Sequence, residues 1–230
     1  MKTFTEWTVL PHKPIEKLAS NLWRVSGIMG SIQRQMVLAR MRDGRVVVNN
    51  AIALDEPAMK ELEAWGEPGV LLVPNAYHKQ DAVIWKKRYP KITVVAPPKA
   101  RNKIAKVVPV DALTHEAPGD DTVKVSSMDG SPGDTLLEVT SGDGTTLVFC
   151  DQILNLKKKG GLVGFALGPT GRVSAPRVTR WFGMTDKKAF AQHVERLAQK
   201  PDLARLLFGH GSSVRERCAA ELRGVVDQLR

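Results

Sequence analysis

Residues 45–97 alternate between two hydrophobic patterns, and this alternation restricts the fold more than any other feature of the sequence. The runs RVVVN, VLLV and KITVVA have the length and β-branched content of buried strands. Between them, ALDEPAMKELEAWG and DAVIWKKRYP have helical character, the first with Asp55 or Glu56 at its start and Gly66 at its end. Strands that alternate with helices predict βαβ units, in which helices cover a sheet.

The chain after residue 100 follows a different pattern. VKVSSM, TLLEVTS and TTLVFC are predicted to be successive strands, with a turn at residues 142–144 between the last two. The glycine-rich stretch LKKKGGLVGFALGPTGR is predicted to be a loop. A helix over residues 186–200, a strand at LARLLFG and a final amphipathic helix follow.

This order of elements predicts two mixed sheets packed face to face, with helices on the outside. We expect residues 1–230 to form one domain of class α/β, a four-layer αββα sandwich. Periodicity by itself also fits a generic α/β fold.

The composition restricts the compartment and the partners. The formal net charge is +10, which favours an anionic substrate or ligand, but the basic residues are spread along the chain, so nucleic acid is not the expected partner. No apolar run approaches the roughly 20 residues of a membrane span, and the opening stretch MKTFTEWTVLPHK lacks the apolar core of a signal peptide. We therefore expect a cytoplasmic protein without a membrane partner. The oligomeric state is not predicted.

Three apolar stretches end in residues that bind metals. They are LLVPNAYHKQD (71–81), TLVFCDQIL (146–154) and ARLLFGHGSSV (204–214). Because strand ends can converge on one cleft, the candidate site combines His78, Asp81, Asp151 and His210. Imidazole and carboxylate ligands suit zinc, manganese or iron.

Each candidate also has a purely structural interpretation. His78 can bind a backbone carbonyl at the end of its strand, and Asp81 can cap the helix that follows it. Asp151 can accept hydrogen bonds from the loop after it, and His210 can hold its own turn through Asp151. The residue types alone do not decide between these roles.

The order and spacing of the stretches resemble the metallo-β-lactamase fold superfamily, from about residue 20 to the end of the chain. NAYHKQD stands where that family has a His-x-His-x-Asp-His motif, Cys150-Asp151 stands where it has a bridging aspartate, and FGHGSSV matches its Gly-His-Gly turn. The resemblance implies the αββα fold and a metal site at His78, Asp151 and His210.

The sequence also departs from the family pattern. With His78 at the second histidine, the other motif positions fall on Ala76, Gln80 and Asp81. The family's third histidine region is here SSMDGSPGDTLLEV, in which Asp129 or Gly130 takes the place of the histidine. PNAYH, VVAPPKA and FGHG make the chain similar to a degenerate, uncharacterised branch in which one histidine site is lost and the other is altered.

Two functions follow from this comparison. The first is a hydrolase of an ester or phosphoester-type anionic substrate, with one divalent metal held by Asp151, His210 and either His78 or Asp81. Asp81, if it is not a ligand, would orient the attacking water as a base. The alternative is a metal-free pseudoenzyme that binds a ligand or a partner.

Overall fold

A mixed seven-stranded sheet forms the N-terminal half of the protein. The structure, a computed structural model, describes residues 3–30 and 32–230, so Met1 and Lys2 of the stretch considered for a signal peptide lie outside it. In spatial order the strands are β1 (Glu16–Ala19), β2 (Leu22–Met29), β3 (Ile32–Arg40), β4 (Arg45–Asn49), β5 (Glu67–Leu72), β6 (Thr93–Ala96) and β7 (Ala112–Leu113). Strands β1 to β4 pair antiparallel, and β4 to β7 pair parallel. The predicted βαβαβ pattern corresponds to β4 through β6.

The second sheet has four strands. These are β8 (Val123–Met128), β9 (Ser131–Ser141), β10 (Gly144–Phe149) and β13 (Leu203–Phe208), in the spatial order β13-β10-β9-β8. Strands β10 and β13 pair parallel, while β8 and β9 are antiparallel to their neighbours. A short antiparallel ribbon of β11 (Leu154–Asn155) and β12 (Val173–Ser174) lies after β10 in the chain.

Four of the six helices follow the predicted positions. They are α1 (Glu56–Trp65), α2 (Ala82–Arg88), α3 (Arg101–Ile104), α4 (Gly161–Leu167), α5 (Lys187–Ala198) and α6 (Cys218–Asp227). Asp55 caps α1 by accepting a hydrogen bond from the Ala58 N–H at 2.9 Å, as predicted. The exceptions are α3, for which no element was predicted, and α4, because the glycine-rich stretch was predicted to be a loop. Position 164, inside α4, requires glycine because a Cβ there would come within 2.1 Å of the Lys159 carbonyl oxygen.

Alternating side chains build the four layers. Along β3, Met36 and Leu38 face α1 and α2, whereas Val37 and Ala39 face the second sheet. Along β10, Val148 faces the first sheet while the residues on either side of it face α5 and α6. Both sheets are therefore buried on both faces, and the αββα sandwich predicted from the sequence is confirmed.

The loops after β5, β10 and β13 approach one another at one end of the sandwich. Asn75, after β5, forms an antiparallel bridge with Asp134 of β9, which connects the two sheets. Gly209, after β13, donates its N–H to the carbonyl of Phe149 at the end of β10. This end of the molecule carries the ligand-type residues.

Candidate metal centre

The side chains of His78, Asp151 and His210 converge at this end of the sandwich. The Nε2 atom of His78 lies 3.1 Å from Oδ2 of Asp151 and 3.3 Å from Nε2 of His210. The His210 Nε2 atom lies 3.6 Å from Oδ1 of Asp151. The three stretches predicted to meet in one cleft therefore bring these three residues together.

Hydrogen bonds to the other ring nitrogens fix how both imidazoles are protonated. Asn50 donates from Nδ2 to the Gln35 carbonyl at 2.8 Å, so its Oδ1 faces His78 and accepts from Nδ1 at 2.9 Å. His210 donates from Nδ1 to the Gln33 carbonyl at 2.6 Å. In the neutral rings, both Nε2 atoms then carry lone pairs that face each other and Asp151. Metal-binding histidines are commonly oriented in this way.

The spacing of the two Nε2 atoms and the Asp151 carboxylate fits a single metal ion. Zinc binds imidazole nitrogen and carboxylate oxygen at about 2.0–2.2 Å in a tetrahedron, which places neighbouring ligand atoms about 3.2–3.5 Å apart. The separations of 3.1 Å between His78 Nε2 and Oδ2 of Asp151 and of 3.3 Å between the two Nε2 atoms are close to those edges, and His210 Nε2 lies 3.6 Å from the other oxygen, Oδ1. Three protein ligands leave one tetrahedral position for water or substrate.

The electrostatics of the cluster favour a cation between the ligands. Burial lowers the pKa of His210, although Asp151 opposes this, so the neutral ring is favoured. Burial acts to raise the pKa of Asp151, but His78 and His210, as protonated rings, and a hydrogen bond from Asn75 outweigh it and hold that pKa well below its usual range. Two Nε2 atoms 3.3 Å apart cannot both carry protons that point at each other. A proton and a metal therefore compete for this position.

Local backbone features place the two histidines. Gly211 has φ +94°, and a Cβ there would lie 2.1 Å from the Asn155 carbonyl oxygen, so the Gly-His-Gly turn requires glycine after His210. Asn50 is also in the left-handed region, with φ 57°, which asparagine tolerates better than most residues. This conformation is found at the residue that accepts the hydrogen bond from the His78 ring.

A second polar group lies next to the first. Asp134, Cys150 and Asp151 also have ligand atoms within 4.8 Å of one another. However, the Asn75 amide nitrogen lies among them, 2.8 Å from Oδ2 of Asp151, 3.3 Å from Oδ2 of Asp134 and 3.6 Å from the sulfur of Cys150. Burial and neighbouring carboxylates raise the pKa of Asp134 and of the Cys150 thiol. An amide donor thus interacts with the groups that a second cation would use.

Asp81 lies apart from the three converging residues. Its Oδ2 atom is 2.7 Å from Nη1 of Arg34, and its Oδ1 atom accepts from the Ala53 N–H at 3.1 Å. It precedes α2, but its side chain makes no capping hydrogen bond, so the interpretation as a helix cap is wrong. Burial raises the pKa of Asp81, and the charge of Arg34 acts against this. Both carboxylate oxygens are occupied by structural contacts.

Sequence reasoning missed three side chains around the centre. Asn50 and Asn75 were visible as asparagines directly after strands, where a polar side chain at a strand end is itself a signal. Asp134 follows a glycine in the stretch expected to replace a histidine by Asp129 or Gly130. Asp129 instead pairs with Arg196 at the surface, and Asp134 is the acid that lies beside Asp151.

Comparison with known proteins supports the fold. No protein-family model and no curated protein matches the sequence. Among solved structures, the DIM-1 metallo-β-lactamase exposed to ceftazidime superposes with a TM-score of 0.65 at 12% identity, over 97% of this chain and 100% of that one. The structure of TMB-1, from work on substrate and inhibitor binding, superposes with a TM-score of 0.60 at 12% identity, over 95% and 99% of the two chains.

The chain has the metallo-β-lactamase fold. The resemblance inferred from PNAYH and FGHG is therefore confirmed at the level of the fold. No helix among residues 3–30 and 32–230 of this metallo-β-lactamase-fold protein is long and apolar enough to cross a bilayer.

Proposed function

We propose that the protein is a hydrolase that uses one divalent metal and acts on an anionic ester or phosphoester. One observation carries the proposal: two imidazole lone pairs and one carboxylate converge, with both ring N–H groups already committed to oxygen acceptors. Zinc, manganese and iron all accept this ligand set. When bound, such a metal lowers the pKa of a coordinated water and polarises a substrate oxygen.

The protein's own residues would orient the reaction. Asn50 and the Gln33 carbonyl hold the two rings with their Nε2 atoms inward, and the Asn75 amide holds one oxygen of Asp151. We do not assign Asp81 the role of base, because its oxygens are held by Arg34 and Ala53. We propose instead that a second water molecule or Asp151 acts as the base. The charge of +10 supports an anionic substrate.

We propose one metal per chain rather than two. The Asn75 amide lies among Asp134, Cys150 and Asp151, and its N–H groups repel a cation there. The raised pKa values of Asp134 and Cys150 favour their protonated, weakly binding forms. Elemental analysis of the protein is expected to give one transition metal per chain, and two equivalents would contradict this stoichiometry.

The test of the function combines metal content with hydrolysis. Protein purified without chelator, and reconstituted with zinc, manganese or iron, is compared with His210→Ala and with His115→Ala, a control at an exposed histidine outside the centre. We expect the first variant to lose most of the metal and at least about a hundredfold in hydrolysis of generic phosphoesters or esters, since it loses a ligand. We expect the control to behave like the wild type.

The alternative function has a clear outcome in the same experiment. If reconstituted wild-type protein binds no metal, the hydrolase proposal fails, and the metal-free pseudoenzyme that binds a ligand or partner takes its place. Metal that binds equally well to His210→Ala would show that the ion is held elsewhere.

A further inference from the structure

The segment between Asp151 and Asp186 combines positive charge with exposed apolar side chains. Residues 152–185 contain no aspartate or glutamate and six basic residues, namely Lys157, Lys158, Lys159, Arg172, Arg177 and Arg180. None of the ion pairs formed among residues 3–30 and 32–230 includes one of these six. Their charges are therefore not neutralised within the protein.

The same segment carries most of the large apolar side chains that are exposed. Ten such residues occur in the described part of the chain, and six of them lie between residues 162 and 182. Their exposed fractions are 85% for Leu162, 57% for Val163, 55% for Phe165, 39% for Val178, 54% for Trp181 and 78% for Phe182. Soluble proteins rarely group so many apolar side chains at the surface without a partner.

The aromatic side chains of this segment lie next to one another. The rings of Phe165 and Trp181 have centroids 5.9 Å apart, and those of Trp181 and Phe182 are 6.5 Å apart. Arg177 lies over the Phe165 ring at 4.8 Å, so a cation adjoins the aromatic group. We call Leu162, Val163, Phe165, Trp181 and Phe182, with the six basic residues, the basic apolar surface.

We propose that the basic apolar surface binds the face of an anionic lipid bilayer. Aromatic and aliphatic side chains enter the boundary between headgroups and acyl chains, while lysine and arginine attract anionic headgroups. Leu162 and Val163 favour lipid over nucleic acid, because single-stranded nucleic acid selects aromatic rings for base stacking and gains little from exposed aliphatic groups. The lack of an apolar run long enough to span a bilayer predicts no membrane partner, but surface binding needs no span.

The surface adjoins the candidate metal centre. Thr179, at the start of the π-helical turn Thr179–Gly183 that carries Trp181 and Phe182, donates its hydroxyl to the Asp151 carbonyl at 2.9 Å. Asn155, on β11, bridges to Gly211 beside His210. Membrane binding does not depend on the proposed hydrolase, because neither the charges nor the apolar side chains of the surface are metal ligands.

The test is co-sedimentation with vesicles of phosphatidylcholine alone or mixed with phosphatidylglycerol. We expect binding to the mixed vesicles only, weakened by salt. The double variant Leu162→Ser, Phe182→Ser is expected to lose about tenfold or more in affinity. The triple variant Lys157→Gln, Lys158→Gln, Lys159→Gln is expected to lose on the order of a hundredfold.

The controls change exposed residues of the same chemical types elsewhere on the protein. Ile28→Ser with Ile32→Ser, and Lys91→Gln with Lys103→Gln and Lys106→Gln, are expected to bind like the wild type. Binding of the wild type is also expected to shift the fluorescence of Trp181, the most exposed of the five tryptophans, to shorter wavelength.

Three outcomes would overturn the proposal. The first is no binding to anionic vesicles. The second is binding that the apolar double variant retains in full, because charge alone would then explain it. The third is tighter binding of a single-stranded oligonucleotide that competes with vesicles and depends on the lysines but not on Leu162, since this would identify a nucleic-acid surface.

Discussion

Individual residues at the centre differ in what they contribute. His78, Asp151 and His210 present the atoms that a metal would contact, whereas Asn50 acts only through the His78 ring. Residues that orient a ligand typically change metal affinity by about 10–100-fold when they are removed. The effect of Asn50 can therefore be separated from that of the ligands.

We expect Asn50→Gly to weaken metal binding by about 10–100-fold. Glycine accepts the left-handed backbone at this position, so the substitution removes the hydrogen-bond acceptor without adding backbone strain. Metal affinity is measured by competition with a chromophoric chelator. Asn50→Asp, which retains an oxygen facing the ring, is the control and should bind metal more tightly than Asn50→Gly. Equal affinity of wild type and Asn50→Gly would refute the orienting role.

At the level of elements, a buried ion pair connects β3 to the start of α2. Arg34 and Asp81 have side chains only 3% and 1% exposed, and their charged atoms are 2.7 Å apart. Asp81 also binds the Ala53 N–H in the segment between β4 and α1. Removal of one partner leaves the other charge buried and unpaired. This destabilises the fold by more than the intact ion pair stabilises it.

We expect Asp81→Asn to lower the free energy of unfolding by about 3–5 kcal/mol. The matched control is Asp121→Asn, which removes the partner of Arg42 from an ion pair with side chains 70% and 65% exposed. That change should cost about 1 kcal/mol or less. Urea denaturation followed by circular dichroism gives both values. Similar losses in the two variants would contradict the structural role assigned to Asp81.

At the scale of the whole molecule, the three candidate ligands come from both sheets. His78 follows β5 of the first sheet, while Asp151 and His210 follow β10 and β13 of the second. A metal held by all three would connect the two halves of the sandwich. Because the unfolded chain does not keep these ligands together, metal binding adds its free energy to that of folding.

We expect the metal-loaded protein to melt at a higher temperature than the protein treated with a chelator. Metal binding raises the free energy of unfolding by about 2.7 kcal/mol when the free metal concentration is about a hundred times the dissociation constant. Differential scanning calorimetry of wild type and His210→Ala, each with and without metal, provides the test. The variant should show little response to metal. A chelator that leaves the wild-type transition unchanged would speak against a metal that joins the sheets.

The sequence by itself determined the layers of the fold and the three residues that converge at the candidate site. Continuous apolar runs mark β3 and β10 as strands buried on both faces, and His78, Asp151 and His210 each follow an apolar run that must end at a sheet edge. Helix α4 was not predicted because glycines usually indicate a loop. In the structure, Gly164 is required inside the helix because the Lys159 carbonyl leaves no room for a side chain.

Only the tertiary structure decided which polar groups face one another. Asp81 pairs with Arg34, 47 residues earlier, and His78 is oriented by Asn50, 28 residues earlier. Asp134 was not distinguished from Asp129 until the bridge to Asn75 placed it next to Asp151. Local periodicity sets which face of an element is buried, but hydrogen-bond partners depend on how distant elements pack, and this information is not contained in any one stretch of the chain.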